Sequence, residues 1–214
     1  MVFKALAAKT VVDGKVVDNT AKTWADVDAS LPAWKIEAYI PGEKHGTREV
    51  FEEKLLAAGC KDTGALDALT ASGMDKKAST EQCHAIRKDG AAIDIDGDYS
   101  ETLARISANK QGVGVFGLAF YEQNQDKLKV ATVNDIVPSV ETISTGTYPV
   151  SRPLFFYVKK AHIGVVPGLK EYADFFLSEQ MIGGDGPLAQ YGLVPAPDAE
   201  RDAYRADFDA GKTM

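Results

Sequence analysis

The stretch IPGEKHGTREVFEE, residues 40–53, runs from the end of a strand through a glycine-containing loop straight into a helix. Before it, Ile36, Ala38 and Ile40 alternate with Lys35, Glu37 and Tyr39, the period of a strand with one face buried. After it, Val50, Phe51, Leu55 and Ala58 recur on one helical face, which predicts a helix over about 46–58. At the junction His45, Gly46, Thr47 and Arg48 fall at roughly the N-cap to N3 positions. The first amides of a helix have no intrahelical partner and sit at the positive end of its dipole. Gly46 puts no side chain in the way of a ligand, Thr47 offers a hydroxyl, and Arg48 offers a planar fork that matches a tetrahedral oxyanion. These four residues form the candidate ligand site. A capped helix with a surface arginine accounts for the same residues in plainer terms.

Outward from this segment, strands and helices alternate. Residues 2–9 read as a short amphipathic helix, and VVDGKVV (11–17) reads as a hairpin turning at Asp13-Gly14. Helical stretches are expected near 63–72 and 78–88, then a short strand, AIDID, at 92–96. Asp98 and Glu101 have capping-box spacing for a helix with Tyr99, Leu103 and Ile106 inward. Three apolar runs, GVGVFG (112–117), LKVATV (128–133) and LFFYV (154–158), read as strands. Helices are expected over 137–146, with a glycine stop, and over about 167–181, burying Leu169, Tyr172, Ala173 and Phe176. This order predicts an α/β fold with a mostly parallel sheet.

The chain has 214 residues and a formal net charge of −7. That balance excludes nucleic acid as a partner, which calls for a basic surface, but leaves room for a small anion held by backbone amides. The N-terminus, MVFKALAAKTVVDGK, does not read as a signal peptide, and no run is long and apolar enough to span a bilayer. Cys60 and Cys83 are compatible with one disulfide or with two buried thiols. Asp94, Asp96 and Asp98 open like a calcium loop, but Tyr99 stands where glycine is needed and Arg105 where glutamate is needed, so no metal is expected. Cys83-His84 has no base or oxyanion hole placed beside it. No acid–base pair or nucleophile constellation survives, so the chain reads as a binding protein without a cofactor, not an enzyme.

The His45–Arg48 segment resembles the Ser-Gly-Thr-Arg phosphate loop of the PstS-type phosphate-binding proteins, which have the type 2 periplasmic-binding fold. KTWADVDASLP (22–32), GVGVFGLAFYEQN (112–124), YPVSRPLFFYVKK (148–160) and GGDGPLAQYGLVP (183–195) are similar to further segments of that family, in order. The resemblance implies one complete lobe, 1–147, and part of a second, 148–214. It also implies phosphate capture in the periplasm for an inner-membrane ABC permease, with the anion desolvated between lobes that close by a hinge. The family's serine is His45 here, which leaves another small oxyanion, such as sulfate, as an alternative ligand. The N-terminal part of the family's first lobe has no counterpart in this sequence, nor do the phosphate donors and carboxylate it carries. From this follow two further expectations: self-association through an uncovered face or weak binding alone, and, as a second alternative, a non-binding interaction domain.

Overall fold

The computed structural model describes residues 1–213, which divide into two compact units, Met1–Gly117 and a second from Leu118 onward. The contacts therefore part well before the 147/148 boundary expected from the sequence. Among the described residues no helix is long and apolar enough to cross a membrane.

The first unit begins with α1 (Val2–Leu6) and a hairpin of β1 (Lys9–Val12) and β2 (Lys15–Asp18). The turn falls at Asp13 and Gly14, with φ of 49° and 74°, the pair of left-handed residues a two-residue hairpin requires. A short helix, α2 (Trp24–Val27), follows, with a capping box between Thr23 and Asp26.

The three-stranded parallel sheet has the order β4 (Ala92–Ile95), β3 (Ala38–Pro41), β5 (Val113–Gly114). All four residues of β3 are buried, so the alternation read from its sequence gives way to burial on both sides, as a central parallel strand demands. Tyr39 is only 4% exposed, and its phenol donates to Glu37 Oε1 at 2.5 Å. β5 is two residues long and Val113 is exposed, so the run at 112–117 is not the fully buried strand its composition predicts.

The helix after β3 holds the main surprise of this unit. α3 (Gly46–Phe51) passes into a π-helical turn, Glu52–Leu56, and on into α4 (Ala57–Asp62). A π turn adds a residue to the helical repeat. The buried positions accordingly step from Phe51 to Leu56 and Cys60, leaving Leu55 half-buried and Ala58 exposed, contrary to the expected face. α5 (Ala65–Ala71) and α6 (Lys76–His84) complete this layer, and the sulfurs of Cys60 and Cys83 are bonded to each other between α4 and α6. α7 (Tyr99–Ala108) leads from β4 to β5; Asp98 caps it by accepting from Ser100 N, while Glu101 pairs with Arg105 instead of closing a capping box.

Phe3, Leu6, Ile36, Ile40, Phe51, Leu56 and Leu69 gather in the core around the bridged cysteines. α1 lies so close to α4 that a Cβ on Gly59 would sit 2.5 Å from Phe3 Cβ. Gly59→Ala gains about 1 kcal/mol of helix propensity but overpacks by about 1–3 kcal/mol, and neither backbone can retreat freely from the core. A net loss of roughly 1 kcal/mol is expected in urea unfolding; a stabilised variant would show that α1 yields.

The second unit contains α8 (Leu118–Glu122), α9 (Val140–Ser144), a 3₁₀ turn at Lys160–His162, α10 (Leu169–Phe176), α11 (Glu179–Ile182), α12 (Pro187–Gln190) and α13 (Asp198–Asp209). α9 has the expected stop, Gly146 at φ 70°. The helix expected to 181 breaks at Leu177, and of its predicted inward residues only Ala173 is fully buried, Tyr172 being 63% exposed. Arg201, 6% exposed, joins α13 to α11 through Glu179. Neither LKVATV nor LFFYV forms a strand: the first contributes only a bridge between Val133 and Ile136, and the second has no strand alongside it.

Candidate functional site

The candidate residues lie where two parallel strands end. β3 leads by way of α3 to β4 on one side, and β4 leads by way of α7 to β5 on the other side of β3. Connections that leave in opposite directions open a crevice outside the carboxyl ends of the strands, the usual ligand position in open α/β sheets. The starts of α3 and α7 meet there: Thr47 Oγ1 and Tyr99 Oη are 2.5 Å apart.

His45 is the N-cap of α3, with an extended backbone at φ −94° and ψ 131° and no side-chain capping bond. Its amide donates to Gly42 O at 3.0 Å, and that of Arg48 donates to His45 O at 2.9 Å. Between them, the amides of Gly46 and Thr47 have no backbone acceptor among the described residues. Two adjacent donors thus remain at the positive end of the helix. With Tyr99 as the donor of this pair, Thr47 keeps its own hydroxyl hydrogen for an acceptor.

Arg48 behaves differently from the expected ligand fork. Its side chain is 5% exposed; Nε donates to Glu52 Oε1 at 2.5 Å, and Nη1 donates to Asp94 Oδ1 at 2.5 Å and to Pro41 O at 3.0 Å. Burial disfavours the charged guanidinium, but the bonds to Glu52 and Asp94 outweigh it and hold the pKa above the ordinary arginine value. Only Nη2 donates to no protein group among the described residues. Arg48 therefore clamps the loop end of β3 to β4 and to the first π-helical residue, with one nitrogen in reserve.

A solvent-open cavity of about 420 Å³ lies along Glu43, Lys44, His45, Gly46, Arg48, Glu49 and Glu52. Its lining carries both signs, Lys44 and Arg48 beside Glu43, Glu49 and Glu52, with Glu52 paired to Arg48, and Gly46 joins it to the polar corner made with Thr47 and Tyr99. Asp94 is tied to Arg48 and Asp98 to the cap of α7, and no group of three or more potential metal ligands occurs among the described residues.

Sequence reasoning brought His45, Gly46, Thr47 and Arg48 together, and the structure keeps them at one helix start. It treated Tyr99 only as an inward helix residue and missed Glu52 and Asp94 as anchors of Arg48. Glu52 was legible as the i+4 partner of Arg48, whereas Tyr99 and Asp94 reach the loop only through the pairing of β3 with β4.

The sequence profile described as "PBP superfamily domain" matches residues 3–180. The chain belongs to the PBP superfamily. It is 33% identical to the phosphate-binding protein PstS of Staphylococcus haemolyticus over 171 residues, 78% of this chain and 45% of that protein. With PstS of Staphylococcus epidermidis it shares 32% over 200 residues, 91% of this chain and 50% of that one. The chain thus spans about half the length of these curated relatives. The fold is shared with a possible phosphate binding protein of Planctomyces limnophilus, at a TM-score of 0.65 and 23% identity over 99% of this chain and 63% of that chain. PstS of Borrelia burgdorferi gives a TM-score of 0.54 at 19% identity, covering 90% of this chain and 69% of that one. The architecture is that of the α/β periplasmic-binding-protein fold.

Proposed function

We propose that this chain binds inorganic phosphate as part of the solute-binding component of an ABC importer, working in the periplasm and delivering its ligand to an inner-membrane permease. The observation that carries the reading is the pair of open amides at Gly46 and Thr47 beside the Thr47–Tyr99 hydroxyl pair, in a chain whose curated relatives are phosphate-binding proteins. The amides and the Thr47 hydroxyl replace water around the anion, and the dipole of α3 complements its charge. His45, the N-cap residue of α3, contributes a ring N–H donor. Arg48 supports the seat chiefly by position, with Nη2 as its remaining donor. These groups are placed to hold an anion, and the reading is one of binding without turnover.

Isothermal titration with phosphate, sulfate and arsenate tests the reading. Phosphate and arsenate, alike in shape and protonation, should both give heat, with sulfate weaker. Thr47→Val should weaken phosphate binding by roughly tenfold or more, the worth of one bond to a charged group. Tyr99→Phe should weaken it less, because Thr47 keeps its hydroxyl. No heat with phosphate at millimolar concentration overturns the proposal, and sulfate binding more tightly than phosphate reassigns the ligand.

A further inference from the structure

Three parallel strands end at the crevice, and two of the ends already supply the candidate site: the loop after β3 carries Thr47, and α7 after β4 carries Tyr99. The third end is Val115, Phe116 and Gly117. The amides of Val113 and Val115 donate to Glu37 O and Tyr39 O at 3.0 and 3.1 Å, so the chain stays against β3 for one residue beyond β5 and delivers Phe116 to the same rim. The Phe116 ring meets that of Tyr99 with centroids 5.7 Å apart and planes inclined by 58°, inside the range in which tilted aromatic pairs attract. Glycines on either side make room for this contact. A Cβ on Gly114 would sit 2.8 Å from Phe116 Cε2 and 3.0 Å from Thr102 Cγ2, and one on Gly117 would sit 3.4 Å from Tyr99 Oη. Neither glycine has a left-handed backbone, so what each supplies is space.

We propose that Phe116 is a positioning residue of the anion seat: its ring holds Tyr99 in the rotamer that reaches Thr47, and through that bond it sets the Thr47 hydroxyl toward the ligand. Tyr99 is the first residue of α7 and is half-buried. A hydrogen bond between two rotatable hydroxyls does little by itself to offset the entropy of fixing both side chains. A donor contributes fully to binding only when its rotor is already set, because ordering it during binding subtracts from the affinity. The tilted ring contact sets it beforehand, from the far side of Tyr99 and without touching the ligand. The proposal rests on the phosphate reading for the ligand that detects it, and on the geometry alone for the contact.

Affinity and geometry are tested separately on the full chain. In isothermal titration Phe116→Ala should weaken phosphate binding by roughly fivefold, the worth of an aromatic pair, and by no more than Tyr99→Phe does. In a chain already carrying Tyr99→Phe, the same change should cost less than about twofold, because the bond it protects is gone. In the ligand-free chain, the nuclear Overhauser contact between the Tyr99 ring and the Thr47 methyl should be present in the parent and lost in Phe116→Ala, while the resonances around Cys60 and Cys83 stay in place. Phe116→Leu keeps an apolar side chain without a ring. It should fall between the parent and the alanine variant by both readouts, and it carries the test alone if the alanine variant does not fold. Equal losses in the two backgrounds overturn the proposal, as does a Tyr99–Thr47 contact that survives in Phe116→Ala, or a leucine variant that matches the parent throughout. Absence of heat with phosphate in the parent would overturn the ligand assignment instead, and the contact, read without ligand, would still decide the role of Phe116.

Discussion

Replacing Arg48 with methionine should cost the Met1–Gly117 unit about 3 kcal/mol of stability, more than any loss from the ligand side of the same residue. Methionine keeps most of the buried stem and removes the charge, so the loss reports the ion pairs and not a cavity. Removing one partner of a buried ion pair costs about 3–5 kcal/mol, because the other charge is left without compensation. Here the orphaned carboxylates have side-chain exposures of 26% for Glu52 and 42% for Asp94, so water reaches them and the lower end applies. The carbonyl of Pro41 also loses its donor. Both tryptophans, Trp24 and Trp34, lie in this unit, so urea unfolding followed by their fluorescence reads it selectively. Arg48→Lys should recover little, since one ammonium cannot reach three acceptors set around a planar fork. A loss below about 1 kcal/mol would place the two pairs with ordinary surface contacts and return the whole fork to the ligand.

Opening the Cys60–Cys83 bond should cost the same unit about 3 kcal/mol, from the chain entropy released to the unfolded state by a closed loop with sequence separation 23. The double variant Cys60→Ala/Cys83→Ala should lower the urea midpoint while changing the slope only through the denatured state, and reductant should lower the parent to a similar midpoint. The two cysteines are 0% and 2% exposed, so reduction of the native protein should be slow and quicken once urea opens the unit. If the alanine variant loses less than about 1 kcal/mol, packing of Leu56 and Leu69 around the site holds α4 to α6, and the bond is incidental.

The features that could be read from the sequence are those decided within a few residues. Asp13-Gly14 specifies its turn through two left-handed backbones, and the start of α3 follows from the apolar period after Gly46. The inward face of that helix could not be read past Glu52, because the adjacent leucines at 55 and 56 serve an α or a π spacing equally well. The fate of Arg48 needed the register of β3 on β4, which places Asp94 opposite Ile40. Tyr99 needed the same pairing before it could meet Thr47. In the second unit the apolar runs were read as strands because their composition is that of strands, but a strand requires a neighbour, and composition is silent about where one comes from. The resemblance carried the superfamily assignment further than local patterning could.

The π-helical turn at Glu52–Leu56 separates two angular settings along one rod. From Leu56 to Cys60 the rod is fixed against the core; above the turn lie the amides of Gly46 and Thr47. Each residue of an α-helix advances the rod by roughly 100°. Taking out Glu53, Lys54 or Leu55 would rewind the turn to regular pitch and swing the amide pair about a quarter of a revolution while leaving the bridged end in place. The aim of the loop is thus indexed by a single extra residue, as a vernier is set against a fixed scale.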